Sequence, residues 1–216
     1  AIAQVRDPVE KKILKYIDSH IDPAVELIER TVNIDSPTED LAGVKAVGRE
    51  LQKELEAIGL KTKWIDMPAE QKRAGHLLAW TDPASGKGKR ILLLGHLDTV
   101  LAGEKFRREG NRVFGTGIGD MKGGNVVVVY ALKALKAAGA LDNARIRVLF
   151  TGDEENSCDP DIICRGDMVT AAKQSDLALS FEAAIRNTAT VGRRGSSSWR
   201  AAPPIPRSCL ASAPRP

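Results

Sequence analysis

A chain of 216 residues with 43% apolar and only 4% aromatic residues is long enough for one large domain with an aliphatic core. Its net charge of +4 comes from basic residues dispersed among acids, which argues against nucleic-acid binding. Three cysteines without a CxxC pair give neither a disulfide framework nor a cysteine zinc cluster, and no stretch reaches the ~20 apolar residues that cross a bilayer.

The opening AIAQ reads as the small-residue remnant of a removed export signal or as the start of a cloned piece; the first, a periplasmic or secreted protein, is preferred. Val9, Ile13 and Ile17 then recur at helical spacing, and Pro23 restarts a second helix through AVELIERTV. DSPTED is a turn and helix entry. After it Val44, Val47, Leu51, Leu55 and Ile58 share a helical face that Gly59 closes. From there the period shortens. KTKWIDM and HLLAW read as strands, DPASGKGK as a solvated turn, and RILLL as a strand covered on both faces. NVVVVYALKALKAAGA is a buried helix ended by glycine, ARIRVLF an interior strand, DIICRGDMVTAAKQ a helix and LALSF a further interior strand. This alternation predicts an α/β fold, a three-layer sandwich around a largely parallel sheet, whose ligands collect at the carboxyl ends of the strands.

Three of those strands finish in GHLD, TGDEE and SFE. A buried unpaired carboxylate costs several kcal/mol, so it must find a cation or a proton. His96, Asp98, Glu154, Glu155 and Glu182 gather there with no matching lysine or arginine, and Asp120 in GTGIGDMKGG opens the buried helix within reach of the same edge. Carboxylates around one imidazole point to a divalent metal: zinc, with cobalt or manganese as alternatives. Residues two apart on a strand point the same way, so Asp98 can accept the second ring N–H of His96. Adjacent Glu154 and Glu155 point to different sides, one to bind metal and one to take a proton from metal-bound water.

GHLDTV, GDMKGG, TGDEEN and SFE, in this order, resemble the co-catalytic dizinc peptidase and deacylase family, which includes glutamate carboxypeptidase, aminoacylase, acetylornithine deacetylase and succinyl-diaminopimelate desuccinylase. The likeness runs from about residue 10 to 199 and is nearest the glutamate carboxypeptidase branch. The resemblance implies His96 as ligand of one zinc with Asp98 orienting it, Asp120 bridging two ions, Glu155 on the second zinc, Glu182 completing the first site and Glu154 as general base. It further implies a non-proline cis peptide at Asp120–Met121, hydrolysis of amide bonds in small peptides or N-acyl amino acids by metal-activated water, and dimers formed through a lid domain.

The pattern also breaks. The family's late histidine for the second zinc, its lid-domain histidine and its carboxylate-gripping arginine have no counterpart, since His20 and His76 fall elsewhere and read as solvated or packing residues. TATVGRRGSSSW resembles the entry to the lid domain, but AAPPIPRSCLASAPRP has neither strand nor helix period. Residues 1–200 are therefore expected to be the amino-terminal part of a metallopeptidase catalytic domain. Residues 201–216 are expected to be an aberrant or disordered tail, with a frame change in the coding DNA preferred. Weak or single metal binding and little hydrolysis follow. An inactive fragment or binding module is the main alternative. A dinucleotide loop built on Gly117, Gly119 and Gly123 is a weaker one, because its spacing departs from GxGxxG and Asp120 would face the pyrophosphate.

Overall fold

The computed structural model describes residues 7–82 and 88–183. The expectations for AIAQ, for most of the DPASGKGK turn, for the lid-like stretch and for the tail lie outside those residues.

Three helices open the fold: α1 (Pro8–Ser19), α2 (Ile21–Val32) and α3 (Leu41–Ala57). Asp7 caps α1 by accepting from the Val9 N–H at 2.7 Å, and Asp40 caps α3 through the Gly43 N–H at 2.9 Å. The face expected on α3 is the buried one: Val44, Val47, Leu51 and Leu55 are in the core, and Gly59 ends the helix with φ 90°. There follow β1 (Lys61–Ile65), β2 (His76–Trp80), β3 (Arg90–His96), β4 (Arg107–Glu109), β5 (Arg112–Phe114), α4 (Gly123–Ala137), β6 (Arg145–Thr151), α5 (Asp161–Lys173) and β7 (Leu177–Ser180).

The five-stranded sheet has the order β1-β2-β6-β3-β7. β2 is antiparallel to both neighbours, whereas β6, β3 and β7 are mutually parallel, so four of the five strands run one way. Side chains alternate between two cores. Leu77, Ala79, Leu93, Leu97, Val148 and Phe150 join α2, α3 and α4 on one face, while Leu92 and Leu149 meet Ala171 of α5 on the other. This is the three-layer α/β sandwich the alternation implied.

Two features differ from the sequence reading. Among the described residues LALSF is an edge strand rather than an interior one: β7 pairs only with β3, and Leu177 and Leu179 are 45% and 42% exposed. An apolar run shows strand preference but not the strand's position in the sheet. The short hairpin β4–β5 was not anticipated, because its RRE and RVF carry too few apolar residues to show a period.

Candidate metal centre

β3 and β6 run parallel in register, with His96 opposite Thr151, so their continuations leave the sheet side by side. β3 is held from the helical face by a close approach: a Cβ on Gly95 would lie 2.2 Å from Asn125 Oδ1 of α4. Asn125 Nδ2 donates to the His96 carbonyl at 2.6 Å, which fixes the strand tip from which the imidazole projects.

Beyond the tip, the segment that precedes α3 lies against the segment that follows β3. Ser36 Oγ donates to the Leu97 carbonyl at 3.0 Å, Thr99 N–H to the Ser36 carbonyl at 2.8 Å, and Pro37 bridges Thr99. This brings Thr38 Oγ1 within 2.7 Å of Asp98 Oδ2. The backbone N–H groups of Glu154 and Glu155 donate to Oδ1 and Oδ2 of Asp98, each at 3.1 Å. His96 Nδ1 lies 2.9 Å from the Asp98 carbonyl and 3.4 Å from Oδ1. Asp98 thus faces His96 as expected, but the shorter contact is to its main chain, and its carboxylate also anchors the loop bearing both glutamates. Burial raises the Asp98 pKa, but His96, Thr38 and the Glu155 N–H outweigh it and hold the carboxyl below its ordinary value.

On the other side of the ring, His96 Nε2 lies 3.0 Å from Asp120 Oδ1 and 3.4 Å from Glu182 Oε1. Asp120 is delivered by a kinked, non-helical stretch of backbone at Asp120 and Met121 just before α4, and the peptide Asp120–Met121 is cis, as the resemblance implied. The ligand atoms of His96, Asp120 and Glu182 all lie within 4.8 Å of one another, and so do those of His96, Glu154 and Glu155. The six residues singled out in the sequence meet at one sheet edge.

The two glutamates do not point to different sides, however. They sit on the turn after β6 rather than in the strand, so strand alternation does not govern them, and both reach His96.

The donor set, one imidazole among carboxylates, is hard and anionic and suits zinc, cobalt or manganese. Among the described residues no lysine or arginine lies within 4.0 Å of Asp98, Asp120, Glu154, Glu155 or Glu182; their one cationic partner is His96. Lys122, two residues from Asp120, turns away and donates to the Ile34 carbonyl at 2.8 Å; burial lowers its pKa to about 8. Burial also pulls the His96 pKa down, but Asp98, Glu182 and Asp120 overcome it and hold the ring at about 9. Glu155 and Glu182 are raised, first by burial and then by Asp120. The cluster therefore fits a cation.

Several contributors were missed. Thr38 is 60 residues from Asp98 in the chain and has no spacing signal. Arg165 pairs with Asp153 at 2.7 Å, so one acid at this end of the sheet does have a basic partner. Cys158 and Cys164 form a disulfide, contrary to the expectation from an odd cysteine count. They lie six residues apart, Cys158 in the loop before α5 and Cys164 in the first turn of that helix. His76 is the packing residue expected: its Nδ1 accepts from Gly152 N–H at 3.2 Å and Nε2 lies 3.0 Å from the Cys164 carbonyl. His20 stacks on Tyr16 at the junction of α1 and α2.

An α/β sandwich with one imidazole and several carboxylates converging at the carboxyl ends of its parallel strands has the layout of a metallohydrolase. The model of Peptidase family M20/M25/M40 matches residues 92–193. Carboxypeptidase G2 of Pseudomonas sp. (strain RS-16) is 37% identical over 193 residues, which covers 84% of this chain and 43% of that protein. Two solved structures share the fold. Human carnosine dipeptidase 1 has a TM-score of 0.61 at 20% identity, covering 79% of this chain and 40% of its own. The M20 family metallo-carboxypeptidase Sso-CP2 from Sulfolobus solfataricus has 0.59 at 18%, covering 74% and 37%. Over the matched residues the chain resembles the M20 peptidase family. It spans less than half the length of these relatives.

Proposed function

We propose that these residues form part of the catalytic site of a metal-dependent amide hydrolase acting on small peptides or N-acyl amino acids. The observation that carries the reading is the convergence of His96 Nε2 with the Asp120 and Glu182 carboxylates, without a lysine or arginine partner among the described residues. Carboxypeptidase G2 supports the peptide class by its name and its 37% identity.

In this reading His96, Asp120 and Glu182 would hold one ion, and Glu155 and Asp120 would contribute to holding a second. Zinc bound there would supply an activated water, its pKa lowered toward ~7, and a Lewis acid for the scissile carbonyl. Glu154, whose side chain reaches the same space from an exposed turn, accepts a proton there and returns it to the departing amine. Asp98 keeps the His96 ring oriented and holds the loop of Glu154 and Glu155 through two N–H bonds.

The second cluster draws on the same imidazole as the first, and His20 and His76 are committed elsewhere. We therefore expect the 216-residue chain to hold one ion well and a second weakly, with low turnover. The test is to load the chain with zinc and follow amine release from a panel of dipeptides and N-acyl amino acids. Turnover that Glu154→Gln abolishes while zinc content stays unchanged supports the reading. Zinc binding that survives loss of both His96 and Asp120 side chains overturns it.

A further inference from the structure

The loop Gly152–Pro160, between β6 and α5, carries Glu154 and Glu155. Its early residues are fixed to β3 through Asp98, but three other ties lead to one turn of α5. The Gly152 N–H donates to His76 Nδ1, while Nε2 of the same ring meets the Cys164 carbonyl at 3.0 Å. Asp153 Oδ1 accepts from Arg165 Nη1 at 2.7 Å, and Arg165 Nη2 donates to the Asp153 carbonyl at 3.0 Å. Cys158 is bonded to Cys164. The two glutamates are thus bracketed by Asp153 and Cys158, each attached to one of the neighbouring residues Arg165 and Cys164. Four partners in this clasp are buried, with His76, Asp153 and Cys164 at 0% exposed and Cys158 at 4%, while the Arg165 side chain is partly exposed. Among the described residues Asp153 Oδ2 finds no hydrogen-bond partner, and Arg165 is the one lysine or arginine paired with this carboxylate. An Asp153 carboxylate oxygen and the two sulfurs also lie within 4.8 Å of one another, but the sulfurs are bonded together and Arg165 supplies the positive charge, so the group does not form a cation site.

We propose that the Cys158–Cys164 disulfide is a redox-sensitive positioning clasp that holds the Glu154–Glu155 loop in the geometry of the site. This rests on the metal-hydrolase reading for its consequence, not for its existence. Opening the clasp takes two electrons and two protons: a dithiol reductant is oxidised to its disulfide, the Cys158–Cys164 bond breaks and two thiols form. The loop then keeps its ties to Arg165, His76 and Asp98 but loses its covalent tie to α5, so the hydrogen bonds that position Glu154 and Glu155 open more often.

The experiment compares the air-oxidised chain, the chain reduced with a dithiol that is then removed under argon, and Cys158→Ser/Cys164→Ser. Thiol titration checks the states, since the chain has three cysteines and the oxidised form should show one thiol. Amide hydrogen exchange across residues 152–158 is read without metal, and Co²⁺ affinity is read separately. The clasp predicts that exchange at Glu154 and Glu155 accelerates at least about tenfold in the reduced and serine forms, that re-oxidation reverses this for the wild type, and that exchange in β3 stays unchanged. It also predicts weaker Co²⁺ binding in the same two forms. Three thiols in the air-oxidised protein, or identical loop exchange in both redox states, overturns the proposal. Faster loop exchange together with no Co²⁺ binding in any form upholds the clasp and defeats the metal reading instead.

Discussion

The tips of β3 and β7 bring their residues to the same ion-binding space from opposite structural circumstances. β3 is central, paired on both sides, and its continuation is buried: His96 is 1% exposed and Asp98 0%, the latter receiving three hydrogen bonds. β7 is an edge strand among the described residues; all four of its residues are exposed, and the Glu182 side chain beyond it is 37% exposed. One arm is preorganised by the core, so its ligands arrive oriented. The other is carried by a single strand ladder, so its carboxylate contributes to the ion but little to the fold. Stability and metal affinity should therefore separate between the arms.

The largest effect is expected at Asp98. Asp98→Ala removes the acceptor for the Thr38 hydroxyl and for two N–H groups, and should cost about 3–5 kcal/mol by urea denaturation. It should also cost about 10–100-fold in Zn²⁺ affinity. A stable variant with unaltered affinity would show that the β3 arm is not organised by this carboxylate. Thr38→Val is the milder version, losing one hydrogen bond to a charged group, about 1.5–3 kcal/mol; Thr38→Ser should restore most of it.

Smaller effects are expected on the β7 arm. Asp176 lies just before β7, where its carboxylate accepts from Arg90 Nη2 at 2.7 Å and from the Arg90 N–H at 2.7 Å. These bonds hold its pKa far below the ordinary 3.8, so its contribution is fully present above pH 3.8 and is lost as pH falls through the lowered value. Asp176→Asn should lower the melting temperature slightly at pH 7, and the difference from wild type should shrink in strong acid. Glu182→Gln should leave stability within about 0.5 kcal/mol, as surface substitutions do, while lowering Co²⁺ affinity at least about tenfold. Loss of stability there would mean that the β7 tip is more than a ligand carrier.

How much of this was legible in the sequence follows the same division. The β3 tip was readable because four consecutive apolar residues in RILLL lead into a histidine and an acid, and α3 because its apolar face recurs at helical spacing. Asp120 was readable as an acid at the entrance to an apolar helix. The edge position of β7 was not, since pairing partners are a property of the sheet. The shared direction of Glu154 and Glu155 was not, since the strand ends at Thr151 and a turn replaces alternation. Thr38, Arg165 and the Cys158–Cys164 bond depend on how segments fold back on each other, which leaves no local period to read.

The most direct test of the central claim, that the acids at this edge are gathered around a divalent cation through His96, is a Co²⁺ titration of the chain followed by visible absorption. Wild type should give a saturable spectrum near one equivalent, and His96→Ala should lose it while remaining folded by circular dichroism. The same spectrum and affinity in folded His96→Ala, or no binding by the wild type, would contradict the account.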